Sequence, residues 1–218
     1  MSALIIVFGY LVGSIPTAEI FSKVMRGIDL RKVGSGTVSS TGIYYHVSRP
    51  MVVVVGILDI LKGALPTWLA LRFDLGLWVA ALAGLAAIVG HNWPLYLRFV
   101  GGRGLSPFMG LLLVLYPWGF PWLLAFLAVG RLVGLTALGA LLGLMSLPAL
   151  TAFTGQPPAI TWAGVLMLLV TVVKRLEANR LPLPDDPAER RQVLLRRLLF
   201  DRDVPPGEPW TTRRSSHQ

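Results

Sequence analysis

The sequence predicts an all-α, polytopic integral membrane protein with about seven transmembrane helices. The first observation behind this prediction is the composition: 54% of the 218 residues are apolar, only 14% are charged, and the mean hydropathy is +0.66. Ordinary soluble domains carry about 25% charged residues. The second observation is the length of the apolar runs, several of which approach the ~20 residues that a helix needs to cross a bilayer.

Seven apolar runs are candidate spans. They cover residues 3–22, 51–71, 77–93, 106–116, 118–130, 132–153 and 160–173. The fourth and fifth runs are short and are interrupted by Pro117 and Pro121. Because proline breaks or kinks a helix, one kinked helix in place of these two runs is the alternative, which would give six spans.

The distribution of cations favours seven spans, with the N-terminus outside and the C-terminus in the cytoplasm. Lys and Arg concentrate in cytoplasmic loops. In this topology Arg72 lies in an outer loop, and the other Lys and Arg residues that lie outside the spans, from Lys23 onward, are on the inner side. Six spans would put either the basic tail or the basic first loops outside. The net charge of +9 is therefore interpreted as membrane orientation and not as nucleic-acid binding.

Residues 182–218 form a basic tail of different composition. Asp186 is a predicted N-cap, Pro187 suits the first helical position, and leucines and arginines follow. The pattern predicts a short amphipathic helix that either lies on an anionic membrane face or packs on the protein's own cytoplasmic loops. The proline-rich end, residues 205–218, is predicted to be disordered.

The loop between the first two spans, KVGSGTVSSTGIYYHVSR, is rich in glycine and hydroxyl residues. Gly34 and Gly36 allow backbone N–H groups to turn toward an anion, and hydroxyls add further donors. These hydroxyls include those of Ser35, Thr37 and Thr41. The loop suits phosphate, although a flexible connector is an equally good interpretation. It is not a Walker loop, because GxxxxGK[ST] is absent.

A second stretch, GHNWPLYLRFVGGRG, combines glycines with a cation. Gly101, Gly102 and Gly104 surround Arg103, whose guanidinium can hold a phosphate through two hydrogen bonds. His91 lies near the end of an apolar span, where an ionisable side chain is costly and often functional. It is a candidate general base or a donor to an anion, with a purely structural histidine as the alternative.

Other ionisable residues receive simpler interpretations. Asp59 and Lys62, spaced i, i+3 in the second span, are predicted to form a structural ion pair. Arg131 either anchors a headgroup or marks the interface by snorkelling. The three histidines are isolated, cysteine is absent and no GxSxG occurs, so neither a metal site nor serine-hydrolase chemistry is predicted. Anion binding at a membrane surface is the remaining functional interpretation.

Four stretches together carry a resemblance to a known family: GYLVGSIPTAEIF, DLRKVGSG, LDILKG and GHNWPLYLRFVGGRG. Residues 1–181 resemble the bacterial acyl-phosphate-dependent glycerol-3-phosphate acyltransferases, the PlsY type. The resemblance implies an enzyme of the bacterial cytoplasmic membrane, in contact with membrane lipids. Such enzymes transfer an acyl group from acyl phosphate to the sn-1 hydroxyl of glycerol 3-phosphate, without a cofactor, and release lysophosphatidic acid and phosphate.

The resemblance also implies site residues. The GSG of the family corresponds to Gly34, Ser35 and Gly36, and His91 corresponds to the histidine of its GHxxP motif. The implied catalytic residues are His91, Ser35 and Arg103. The implied phosphate-binding residues are Gly34, Gly36, Thr37, Thr41, Gly101, Gly102, Gly104, Arg131 and Lys174.

The sequence departs from the family pattern inside its motifs. Thr37 and Gly42 replace two asparagines, Tyr45 stands near the position of an arginine, and Arg103 replaces a lysine. These departures leave two alternatives to the usual activity: a divergent paralogue that uses another acceptor, and a non-catalytic lipid-binding membrane protein. The sequence predicts no particular oligomeric state.

Overall fold

The computed structural model describes residues 1–33 and 36–204, and the secondary structure of these residues is helical. The α-helices are α1 (Ser2–Ser14), α2 (Thr17–Arg26), α3 (Ser40–His46), α4 (Met51–Arg72), α5 (Leu77–Asn92), α6 (Leu105–Leu115), α7 (Gly119–Leu132), α8 (Thr136–Phe153), α9 (Pro158–Glu177) and α10 (Pro187–Phe200). Short 3-10 helices cover Leu30–Lys32, Leu95–Leu97 and Ala178–Arg180. The all-helical prediction is confirmed for the described residues.

Five helical segments among the described residues are long and apolar enough to cross a membrane: Ser2–Arg26, Met51–Arg72, Leu77–Leu97, Thr136–Phe153 and Pro158–Arg180. Two shorter apolar helices, α6 and α7, lie between the third and fourth of these segments. They are separate helices, because α6 ends at Leu115 and α7 begins at Gly119. The single kinked helix considered above is therefore not what the chain forms.

The first predicted span, residues 3–22, is not one continuous helix. Pro16 has no N–H to donate, and the helix stops at Ser14 and resumes at Thr17. The break leaves the carbonyl of Ile15 outside the helical hydrogen-bond ladder, where it accepts a hydrogen bond from Lys62 Nζ of α4. The predicted span is still present as the segment Ser2–Arg26, and the break inside it was not predicted because hydropathy reports the length of an apolar run and not the path of its backbone.

Glycines bring the N-terminal helices into backbone contact. A Cβ atom added to Gly13 of α1 would lie 2.0 Å from the carbonyl oxygen of Ala87 in α5. One added to Gly63 of α4 would lie 1.8 Å from the carbonyl oxygen of Pro107 in α6. Small residues allow such close approach, which is how helices gain packing contacts within a membrane. The helices α1, α4, α5 and α6 therefore form a tightly spaced unit.

A small apolar cluster fixes the loop between α2 and α4. Its buried members are Ala18, Leu30, Val38, Ile43, Val47, Val55 and Leu97. They come from α2, the loop, α3, α4 and the turn after α5, so the hydroxyl-rich loop is anchored on both sides. This anchoring places Thr37 and Thr41 beside the segment that follows α5.

The tail helix α10 packs on the protein itself, against α8 and α9. Its start matches the prediction, since Pro187 is at the first position and the Asp186 carboxylate accepts a hydrogen bond from the backbone N–H of Glu189. Val193 and Arg197 are buried in the contact. Of the two predicted placements, packing on the chain's own segments is the one that these contacts support. The end predicted to be disordered, 205–218, lies outside the described residues.

Candidate active site

A cavity of about 610 Å³ opens where the predicted cytoplasmic segments meet. Its wall includes the loop before α4, the start of α6, the junction between α7 and α8, and the end of α10. Six residues proposed from the sequence line it: Thr37, Thr41, His91, Arg103, Gly104 and Arg131. The fold thus brings together side chains that lie up to about 90 residues apart in the chain.

Asp59, which lines the cavity, is the centre of a buried polar cluster. One oxygen, Oδ1, accepts hydrogen bonds from Thr17 Oγ1 at 2.6 Å and from Lys62 Nζ at 2.7 Å. The side chains of Asp59 and Lys62 are 1% and 6% exposed, so each charge depends on the other. The predicted ion pair is confirmed.

His91 joins the Asp59 cluster, which the sequence did not indicate. Its Nδ1 lies 3.7 Å from Asp59 Oδ1, a distance longer than a hydrogen bond but short enough for a strong electrostatic interaction. The ring is 10% exposed and lines the cavity. An imidazole whose Nδ1 faces a carboxylate is held with Nε2 turned away from that carboxylate.

The glycines of the second stretch pack directly on His91. The N–H of Gly102 donates to the carbonyl of His91 at 3.0 Å, and a Cβ atom added to Gly102 would lie 2.1 Å from His91 Nε2. Gly104 has a φ of +72°, a conformation that glycine adopts without strain. These glycines therefore set the distance between the loop and the imidazole, in addition to any contact they make with an anion.

Asn179 ties the two glycine stretches together. Its Nδ2 donates to the carbonyl of Gly36 at 3.1 Å and to the carbonyl of Gly101 at 3.2 Å. The residue has a φ of +56°, which asparagine tolerates better than most residues do. Nothing in the sequence analysis indicated what the amide of Asn179 would bind.

Arg103 is held by a residue of the tail. Its Nε donates to both carboxylate oxygens of Asp201, at 2.7 and 2.9 Å. Arg175 also lines the cavity, and it donates to the carbonyls of Ala137 and Leu198, each at 2.7 Å. Sequence reasoning missed Asp201 entirely, since 98 residues separate it from Arg103.

Lys174, predicted to bind phosphate, lies elsewhere among the described residues. Its side chain is fully buried, and Nζ contacts Glu177 Oε2 at 2.9 Å and the ring of Trp93 at 4.9 Å. It is absent from the described cavity wall. Arg131, in contrast, is exposed at the cavity rim.

The first residues of the GSG stretch, Gly34 and Ser35, lie outside the described residues. Ahead of them, Arg31 Nε and Nη2 donate to the carboxylate of Asp29 at 2.9 and 2.7 Å. These hydrogen bonds lower the pKa of Asp29 to about 2. Arg31 is therefore engaged with Asp29 rather than directed at the cavity.

Helices of spanning length together indicate a polytopic membrane protein, and the arginines that line the cavity make it a candidate anion-binding site. The sequence model of the glycerol-3-phosphate acyltransferase family matches residues 3–182. The chain belongs to this family.

Curated relatives and solved structures agree with the family match. "Glycerol-3-phosphate acyltransferase 5" of Dehalococcoides mccartyi is 32% identical over 95% of this chain and 91% of its own length. The glycerol-3-phosphate acyltransferase of Synechococcus sp. (strain CC9902) is 41% identical over 62% of this chain and 70% of its own length.

Two crystal structures of PlsY (YgiH), an integral membrane glycerol 3-phosphate acyltransferase, share the fold. The glycerol 3-phosphate form gives a TM-score of 0.74 at 27% identity, over 81% of this chain and 88% of that chain. The lysophosphatidic acid form gives a TM-score of 0.71 at 25% identity over the same shares of the two chains.

Proposed function

We propose that this chain transfers a fatty acyl group from acyl phosphate to the sn-1 hydroxyl of glycerol 3-phosphate, forming lysophosphatidic acid and inorganic phosphate. One observation carries the proposal: in a chain of this family, a single cavity of about 610 Å³ joins Arg103 and Arg131 to the hydroxyls of Thr37 and Thr41 and to His91. The volume lies within the roughly 300–1,000 Å³ typical of small-molecule sites.

The reaction requires two anions to be held close together. The acceptor oxygen attacks the acyl carbonyl carbon, the new ester C–O bond forms, and the C–O bond to the donor phosphate breaks. Phosphate leaves with its bonding electron pair, so cations beside it stabilise the charge that develops. Arg103 and Arg131 are suited to this task, and Thr37 and Thr41 supply neutral donors at the same wall. The cavity also lowers the reaction barrier by orienting the two substrates toward each other.

His91 is the proposed acceptor of the proton that the hydroxyl loses. Asp59, beside Nδ1, would favour the tautomer that carries its proton on Nδ1 and leaves Nε2 free to accept. A phosphate oxygen of the donor is the alternative acceptor. The variant His91→Gln distinguishes these two proton acceptors. If His91 is the base, kcat falls by at least about 100-fold, and if His91 only positions the substrates, kcat falls far less.

The remaining residues of the proposed site act through phosphate contacts. Backbone N–H groups of Gly34, Gly101 and Gly104, with the hydroxyl of Ser35, would complete the cradle. Gly36 and Gly102 have less support as phosphate donors, because their N–H groups donate to the carbonyls of Val33 and His91. Lys174 has the least support among the proposed phosphate ligands, since Glu177 binds its ammonium in a buried position.

We further propose seven spans, an external N-terminus and a cytoplasmic C-terminus, in the bacterial cytoplasmic membrane. Segments assigned to the cytoplasmic face from charge alone contribute to one cavity, which supports placing them on the same side. Residues 1–181 would form the acyltransferase domain and 182–218 a cytoplasmic tail, a division supported by the end of the family match at residue 182. Reporter fusions at both termini test the topology: both termini on one side would contradict it.

The activity is tested by measuring phosphate release from acyl phosphate by the purified protein, with and without glycerol 3-phosphate. We expect release that requires the acceptor and that falls by at least about 100-fold in Arg103→Ala, the size of effect seen when a charge-stabilising donor is removed. Arg72→Ala is the matched control, because Arg72 lies at the far end of α4 and outside the cavity wall described above.

Different failures have different meanings. Release with another acceptor, but not with glycerol 3-phosphate, would indicate the divergent paralogue. A folded protein that binds acyl phosphate and releases no phosphate with any acceptor would indicate a non-catalytic lipid-binding role. Strict dependence on acyl-CoA would contradict the proposed donor.

A further inference from the structure

The tail reaches the cavity although it lies beyond the family match, which ends at residue 182. Phe200, Asp201 and Arg202, at the end of α10, are part of the cavity wall. The candidate active site is therefore built from two parts of the chain: the membrane helices and a C-terminal segment that the family pattern does not include.

Buried arginines fix the end of α10 in this position. Arg197, 2% exposed, donates to the Asp203 carboxylate through Nε at 2.7 Å and Nη2 at 3.1 Å. It also donates to the carbonyls of Leu176, Leu181 and Pro182. Arg175 donates to the carbonyl of Leu198 at 2.7 Å. These charge-assisted contacts define where the residues after Phe200 lie.

The contact between Asp201 and Arg103 uses one edge of the guanidinium. Both carboxylate oxygens of Asp201 accept from Nε, at 2.7 and 2.9 Å. Nη1 of Arg103 is buried and has no hydrogen-bond partner within the part of the chain that the structure describes. Arginine carries five donors in a planar fork, so a partner at Nε still leaves terminal N–H groups for a second anion.

We propose that Asp201 is a positioning residue for the acyl-transfer reaction. It holds Arg103 by Nε so that the terminal nitrogens meet the phosphate of a substrate. This inference rests on the proposed function of the cavity. It also gives the exchange of the family lysine for Arg103 a physical meaning: a lysine ammonium is a single point of charge and has no separate Nε edge for the tail to hold.

An inhibitory role for Asp201 predicts the opposite change in KM when the residue is removed. A carboxylate that mimics a substrate phosphate is expected to bind through two guanidinium nitrogens, as Asp203 does with Nε and Nη2 of Arg197. The contact at Nε alone favours positioning over competition. The two roles separate cleanly, because removal of a positioning residue raises KM and removal of a competitor lowers it.

The test uses full-length Asp201→Asn and Asp201→Gly. Asp201 has a φ of +54°, a conformation that both replacements tolerate, so the backbone of the α10 end is preserved. Asp201→Asn removes the charge and Asp201→Gly removes the contact. The control is Asp185→Asn, which removes the same charge from an exposed position in the tail.

We expect KM for one of the two phosphate substrates to rise about 10-fold in Asp201→Asn and up to about 100-fold in Asp201→Gly, as loss of a charge-assisted hydrogen bond implies. The thermal midpoint in detergent should change little, and Asp185→Asn should match the wild type. In an Arg103→Lys background the effect of Asp201→Gly should vanish. Inorganic phosphate raises the thermal midpoint of a protein that binds it, so its Kd can be obtained without turnover. Comparing this Kd between the wild type and the Asp201 variants repeats the test.

Three results would overturn the proposal. If the wild type is active and the Asp201 variants have the same KM, Asp201 has no positioning role. If the variants have a lower KM than the wild type, Asp201 competes with the substrate instead. A fall in the thermal midpoint with unchanged kinetic constants would leave Asp201 a purely structural residue. An inactive wild type, in contrast, is a failure of the proposed function itself and is recognised before any variant is compared.

Discussion

The N-terminal helices and the C-terminal segment reach the same cavity by different kinds of contact. In α1, α4, α5 and α6, glycines let one backbone touch another, and the polar groups around Asp59 satisfy one another. In α9 and α10, long arginine side chains reach across to carbonyls and carboxylates. Backbone contacts leave little freedom, so changes there should cost stability. Arginine contacts can adjust, so changes there should alter the site more than the fold.

The largest loss of stability is expected from Lys62→Met. The substitution leaves the carboxylate of Asp59 buried without its cation, which costs about 3–5 kcal/mol when a buried pair is broken. The thermal midpoint in detergent measures the loss. The double variant Asp59→Asn/Lys62→Met should regain most of it, since no uncompensated charge remains. A double variant no more stable than the single one would show that the cation has a different role.

Gly63→Ala tests the backbone contact itself. The added methyl group meets the carbonyl of Pro107, so α4 and α6 must separate, at a cost of about 1–3 kcal/mol. Gly56→Ala in the same helix is the control, because the nearest atom to its Cβ would be Ser40 Oγ at 4.0 Å. Equal midpoints for the two variants would contradict the tight packing described for the N-terminal helices.

Asn179→Gly examines the C-terminal side. Glycine keeps the positive φ and removes the amide, so the carbonyls of Gly36 and Gly101 lose a shared donor. We expect a loss of about 1–2 kcal/mol in stability and a clear rise in KM, since the two glycine stretches are no longer tied together. Stability lost without a change in KM would assign Asn179 to the fold alone.

The smallest effect is expected from Asp29→Asn. The folded-state pKa of Asp29, about 2, lies below its ordinary value of 3.8, so the Arg31 contact stabilises the fold above about pH 4. This contribution is lost as the pH falls toward 2. Because the pair is partly exposed, the difference from the wild type should stay below about 1 kcal/mol at pH 7 and shrink at lower pH. A difference that grows on acidification would contradict this account.

Local features of the chain were predictable from its sequence. Apolar runs located the five segments of spanning length, an i, i+3 spacing identified the Asp59–Lys62 pair, and Asp186 marked the start of α10. Each of these signals lies within one helix or its cap. They depend on composition and spacing, which a single sequence displays directly.

Contacts between distant segments were not predictable. Lys62 and the Ile15 carbonyl are 47 residues apart, Arg103 and Asp201 are 98 apart, and Asn179 and Gly36 are 143 apart. No periodicity links such positions, and the folded chain alone determines which side chain reaches which carbonyl. The predicted phosphate ligand Lys174 illustrates the same limit: its charge was evident, but its burial against Glu177 was not.

The break at Pro16 has a consequence for biosynthesis. A membrane protein acquires its helices in chain order, so α1 and α2 are made well before Lys62 exists to bind the carbonyl of Ile15. At that stage the carbonyl already accepts one hydrogen bond, from the N–H of Thr17 at 3.0 Å, and its second lone pair is still available. An ammonium group is costly within a bilayer unless it finds acceptors. The first span therefore provides in advance an acceptor for the lysine of a later span, and the break at Pro16 helps α4 to insert.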